Sequence, residues 1–64
     1  MAVKKSYVVI PENGLNLREE PSKKANVLKV LEQNVRVEVD NSVEAPDGWI
    51  AIKGGGFVMK QFLK

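Results

Sequence analysis

The stretch Gly14-Leu15-Asn16-Leu17-Arg18-Glu19-Glu20-Pro21-Ser22 decides how this chain is read. Leu15 and Leu17 alternate with Asn16 and Arg18, the period of two required of a strand with one buried face. Pro21 has no N–H to give a sheet ladder, so the pattern stops there. The two leucines are therefore expected in a core. The stretch points to a small β-fold more strongly than to any chemistry.

Outward from it, strand signals dominate. Residues 6–10 hold the run Tyr7-Val8-Val9-Ile10, ended by Pro11-Glu12-Asn13-Gly14, which is dense in turn formers. Residues 14–18 form the second predicted strand, and the polar residues 19–26 form a long excursion. Residues 27–31 are apolar at four of five positions, and their context favours a strand. Val35, Val37 and Val39 then alternate with Arg36 and Glu38, the clearest strand pattern in the chain. Asn34 tolerates positive φ, so Gln33-Asn34 is expected to close a hairpin between these two runs. Pro46-Asp47-Gly48 closes a polar loop. Beyond it, residues 49–53 form a strand with Ile50 and Ile52 on one face and Trp49 and Ala51 on the other. Gly54-Gly55-Gly56 reverses the chain into Phe57-Val58-Met59, and residues 60–63 form one helical turn tucking Phe62 and Leu63 against the sheet. Five to seven short strands with regular turns describe an all-β barrel or sandwich. No internal repeat is present.

Composition bounds the function. The chain has 64 residues, 44% hydrophobic and 28% charged, which is one small domain expected to fold but too short for a deep cavity. It contains no cysteine or histidine. Ser6, Ser22 and Ser42 therefore have no imidazole to activate them, and a metal centre would need an all-oxygen site for which no loop spacing exists. Glu19 and Glu20 point to opposite sides of an extended chain and do not make an acid/base pair. No catalysis and no cofactor are expected. Gly54 to Gly56 lie between strands, with no following Lys-Ser/Thr, and so are read as a hairpin rather than a phosphate loop. No run approaches the roughly 18 apolar residues of a membrane span, and no signal-peptide apolar region follows Met1. Compartment is left open: cell envelope or extracellular if the segment belongs to a longer exported protein. Ten basic and eight acidic residues spread along the chain give a net charge of +2, which disfavours nucleic acid as a partner.

Taken together, Gly14-Leu15-Asn16-Leu17-Arg18, Pro21-Ser22, Val27-Leu28, Leu31, the valine strand, Gly48-Trp49, Gly56-Phe57-Val58 and Phe62-Leu63 resemble the bacterial SH3 (SH3b) domain family over roughly residues 5–64, with residues 1–4 as a short basic extension. The resemblance implies a small SH3-like barrel with a short helical turn near its C-terminus. It also implies a non-catalytic binding or targeting module, often attached to peptidoglycan hydrolases, that holds bacterial cell-wall peptide or a protein partner. Three positions depart from the pattern. Glu19-Glu20 replace small residues, Asn34 replaces a turn glycine, and Phe57 replaces a frequent tryptophan. The acidic pair disfavours an anionic ligand and suits a cationic peptide stem. The eukaryotic SH3 mode of reading proline-rich segments needs a tyrosine-rich groove, and Tyr7 is the chain's one tyrosine.

The expected ligand-binding residues are Tyr7, Asn16, Arg18, Glu19, Glu20, Trp49 and Phe57. Trp49 offers an aromatic platform, against the alternative of packing across a barrel mouth. Arg18 offers a bidentate contact to a carboxylate, against pairing with Glu19, Glu20 or Asp47. Asn16 offers a peptide hydrogen bond, against stabilising a turn. A second class of function, phosphate contacts to nucleic acid from Lys4, Lys5, Lys23, Lys24 and Lys53, and a third, a structural or assembly domain, complete the alternatives. A monomer is the expected state.

Overall fold

The computed structural model describes residues 5–64. In it Leu15 and Leu17 are buried and Asn16 is exposed, so the opening alternation is that of a strand with one face on a core. The described residues form six strands: β1 (Ser6–Val8), β2 (Leu15–Arg18), β3 (Val27–Leu31), β4 (Arg36–Glu38), β5 (Trp49–Ala51) and β6 (Phe57–Met59). One 3-10 turn, Lys60–Phe62, follows. The expected all-β fold with a helical turn near the C-terminus is what the chain adopts.

The strands make two sheets, all antiparallel: β3-β2-β6-β5 and β1-β4. Single bridges between Val9 and Leu63 and between Val39 and Ile52 supplement them. Both sheets wrap one cluster made by Val9, Leu15, Leu17, Leu31, Val37, Ile50, Ile52, Val58 and Leu63, with Tyr7, Val39 and Phe62 packed at its margin. Val9 and Val58 are fully enclosed. Burying a side chain of that size contributes on the order of 1.5–3 kcal/mol, so a chain this short depends on each of them.

The expected hairpin across Gln33-Asn34 does not form. Asn34 does adopt the left-handed conformation, with φ 69°, and Val35 N–H donates to Glu32 C=O at 3.2 Å to close the turn. The flanking strands nevertheless go to different partners: β3 pairs with β2, and β4 pairs with β1. The cause is Val9, whose C=O accepts from Asn34 N–H at 2.8 Å while its N–H donates to Val35 C=O at 3.0 Å. The turn therefore carries the chain from one sheet to the other. The valine alternation is also only partly inward: Val37 is buried and Val39 half-buried, whereas Val35, drawn into the turn, is exposed.

The triple glycine does form a hairpin. Ile52 N–H donates to Gly56 C=O at 2.9 Å and Gly55 N–H to Ile52 C=O at 3.0 Å, which sets Ile50 opposite Val58. Gly54 and Gly56 both have positive φ, 97° and 95°, but their surroundings differ. A Cβ on Gly56 would lie 2.6 Å from Leu17 Cδ1, whereas one on Gly54 would meet nothing within 4 Å. Gly54→Ala is expected to cost about 1–2 kcal/mol of backbone strain. Gly56→Ala should add roughly 1–3 kcal/mol of overpacking against the core. Urea denaturation of the two variants beside the parent checks the order, and equal midpoints would refute it.

Candidate functional site

Cross-strand neighbours in a sheet share a face, so the register decides which side chains meet. Leu15 and Leu17 of β2, Ile50 of β5 and Val58 of β6 point to the core. Their alternates cover the outer face of the four-stranded sheet: Asn16 lies opposite Val30, Arg18 opposite Phe57, and Trp49 opposite Met59. Four of the expected ligand residues, Asn16, Arg18, Trp49 and Phe57, are thereby gathered on one surface. Trp49 and Phe57 are both half-buried. Ala51 is on this face too, yet it is buried, 4% exposed.

A groove of about 380 Å³ opens at one end of this face, lined by Pro11, Asn13, Asn16, Arg18, Met59 and Phe62 among others. The rings of Trp49 and Phe57 lie beside the groove, each as the cross-strand partner of a lining residue, Met59 and Arg18. Phe62 reaches it because the 3-10 turn is pinned at both ends. Lys60 N–H donates to Gly48 C=O at 2.8 Å, and Phe62 C=O accepts from Ile10 N–H at 2.9 Å. The 2.8 Å bond also ties the groove to the turn ahead of Trp49, where Trp49 N–H donates to Pro46 C=O at 3.1 Å. Met59 and Phe62 were absent from the residues expected at the site. A signal for Met59 was available, since the glycine hairpin fixes Ile50 against Val58 and therefore Trp49 against Met59.

The remaining expected residues are placed elsewhere. Tyr7 is on β1 of the other sheet, half-buried against the core margin. Glu19 and Glu20 are exposed at the start of the β2–β3 loop. That loop is ordered by its own contacts. Glu19 N–H donates to Asn26 C=O at 2.9 Å, Asn26 Nδ2 donates to Glu19 Oε2 at 3.3 Å, and Ser22 C=O accepts from Ala25 N–H at 3.1 Å. Arg18 Nη1 donates to Ala25 C=O at 2.9 Å, so the partner holding this side chain is a loop carbonyl rather than Glu19, Glu20 or Asp47. A guanidinium has five N–H donors, and the others are not needed for that bond.

Of the cations considered for nucleic acid, Lys23 and Lys24 sit in the β2–β3 loop, Lys5 precedes β1, and Lys53 pairs with Glu38 at 3.6 Å, while Lys4 lies outside the described residues. The register sets none of them on the outer face.

A family model for the bacterial SH3 domain matches residues 13–64. The chain belongs to that family. The match covers β2 to the 3-10 turn, and β1 precedes it. No curated protein and no solved structure matches the chain. SH3b domains are generally non-catalytic binding modules, and this SH3b domain presents a sheet face with an open groove of about 380 Å³. No helix among the described residues is long and apolar enough to cross a membrane.

One titrating group lies in the loop between β4 and β5. The Asp40 carboxylate accepts hydrogen bonds from the Ser42 hydroxyl and, at 3.0 Å, from the Ser42 N–H, the self-bonded turn typical of Asp. The hydroxyl bond first, then the N–H bond, hold its pKa below the ordinary aspartate value; partial desolvation opposes them, and the Lys53 charge adds the smallest lowering contribution. A carboxyl depressed in the folded state stabilises above the unfolded value of about 3.9 and loses that contribution as pH falls through the folded value. In an NMR titration, Ser42→Ala should move the Asp40 midpoint back up, and an unmoved midpoint would exclude this cause. Separately, Arg18→Ala should lower stability by about 1 kcal/mol in urea and speed hydrogen exchange of Glu19 N–H, through the loss of the tie to Ala25.

Proposed function

We propose that this SH3b domain is a targeting module that holds a cell-wall peptide, or a protein segment of similar chemistry, along the outer face of its four-stranded sheet. The observation that carries the reading is the convergence of Asn16, Arg18, Met59 and Phe62 on one groove, with Trp49 and Phe57 on the strands beside it. Such a surface combines apolar area with a few fixed hydrogen-bond groups, the combination that recognises short peptides. Asn16 offers an amide to a peptide backbone, and the unused donors of Arg18 suit a peptide carbonyl or terminal carboxylate. Glu19 and Glu20, exposed just beyond Arg18, favour a ligand whose stem carries an amine.

The test is co-sedimentation with purified peptidoglycan sacculi. Trp49→Ala and Asn16→Ala should each lower the apparent affinity by about tenfold, equivalent to roughly 1.4 kcal/mol. Asn16 is exposed, so its truncation leaves the core intact and separates lost binding from lost folding. Retention of both variants equal to that of the parent would overturn the outer-face site.

A further inference from the structure

A second surface lies where the two sheets fail to join. Among the described residues β3 pairs with β2 and β4 with β1, and β4 is joined to the chain after β5 only at its end, where Lys53 N–H donates to Glu38 C=O at 3.0 Å, so the consecutive third and fourth strands are not paired with each other. A groove of about 460 Å³ runs along the seam between them. Buried core residues, Leu17, Leu31, Val37 and Ile52, form its floor. Leu28 and Val35, 54% and 38% exposed, are apolar walls in contact with water. Lys29, Arg36 and Lys53 line it as cations against a single acid, Glu38, which is 3.6 Å from Lys53 in an exposed pair worth little. Among the described residues Arg36 Nη1 donates to Ser6 Oγ at 3.0 Å.

We propose that this seam accepts an extended acidic peptide strand from a partner protein, added to the free edge of β3. The inference is independent of the outer-face groove and concerns a different ligand chemistry. An edge strand with one neighbour leaves alternate N–H and C=O groups pointing outward, which is the template for strand addition. Val27, Leu28 and Val30 along this edge are each about half exposed, so an added strand would also cover apolar area. In an added strand, side chains alternate between the two faces. Lys29 is opposite Leu17 and therefore on the core side of β3, whereas Val30 is opposite Asn16 on the outer side. A peptide alternating apolar residues with Glu or Asp would turn its acids to the core side, toward Lys29, Arg36 and Lys53, and its apolar residues to the outer side, beside Val30. Charge selects against the other occupants. Two β3 edges brought together would set Lys29 near Lys29, which opposes a second copy of the chain. A single-stranded nucleic acid would find cations but no aromatic ring among the groove residues on which to stack a base.

The experiment is an NMR titration of the described chain with a blocked hexapeptide of alternating valine and glutamate, beside its valine–lysine counterpart and oligothymidylate. The valine–glutamate peptide should shift the amides of residues 28–30 and 36–37, and Lys29→Glu with Arg36→Glu should weaken it by about tenfold or more. Asn16→Ala should leave that affinity unchanged, which separates this seam from the outer face. Lys29 and Arg36 are exposed, and unshifted amides of core residues such as Val58 confirm that the double variant is folded. The proposal is overturned by any of four results. These are no shift at β3 and β4, a shift indifferent to the charge reversal, an equal response to the lysine peptide or oligothymidylate, and β3 shifts that depend on protein concentration alone.

Discussion

Val9 is fully enclosed, and its backbone polar groups must find partners away from water. Its C=O takes the N–H of Asn34 and its N–H takes the C=O of Val35. On the other side it bridges Leu63, while Val8 exchanges both backbone bonds with Lys64 at 2.8 and 3.0 Å and Ile10 N–H reaches Phe62 C=O. Three segments remote in sequence are thus laid side by side by the hydrogen-bond needs of one short run. The rest of the architecture depends on that arrangement. Because Asn34 and Val35 are committed to Val9, β3 and β4 cannot close a hairpin, and the seam between the sheets stays open. Because residues 62–64 are held along Val8 to Ile10, the 3-10 turn delivers Phe62 to the outer groove.

What was legible in the sequence is what local chemistry dictates. Leu15 and Leu17 inward, the strand over Val27–Leu31, the glycine hairpin and the left-handed Asn34 all follow from alternation or from the φ a residue tolerates. What was not legible is partner choice. Asn34 has the conformation expected of it, yet the strands it joins pair elsewhere, a result set by a valine 25 positions earlier that no local pattern marks. Arg18 was expected beside an acid and instead holds the Ala25 carbonyl, because the β2–β3 loop folds back over the strand end. Alternation set Trp49 on the face opposite Ile50 and Asn16 and Arg18 opposite Leu15 and Leu17, but gathering them with Phe57 on one surface needed the pairing of β6 with both β2 and β5, just as the place of Tyr7 depends on β1 joining the other sheet.

The two surfaces differ in origin and in polarity. The outer face is a paired sheet whose side chains supply rings, an amide and a guanidinium, with two glutamates at the loop beyond it. The seam is a place where pairing stops, rimmed by lysine and arginine. Neither requires a deep cavity, which a chain of this length could not enclose without sacrificing its core. Sheet faces and sheet edges are the two kinds of surface that remain, and this SH3b domain has one of each available.

The mutual bonds between Val8 and Lys64 join the opposite ends of the described chain. Closing that contact fixes a loop that spans nearly all of the described chain, and the conformational entropy of doing so precedes any reward from the core it seals. Folding should therefore be limited by topology rather than by local strand formation, in the milliseconds-to-seconds range of small barrels rather than the microseconds of helical bundles. On the ribosome the same geometry delays completion. Val9 has no Leu63 to lie against until residue 63 has left the exit tunnel, so the core of the nascent domain cannot seal before then.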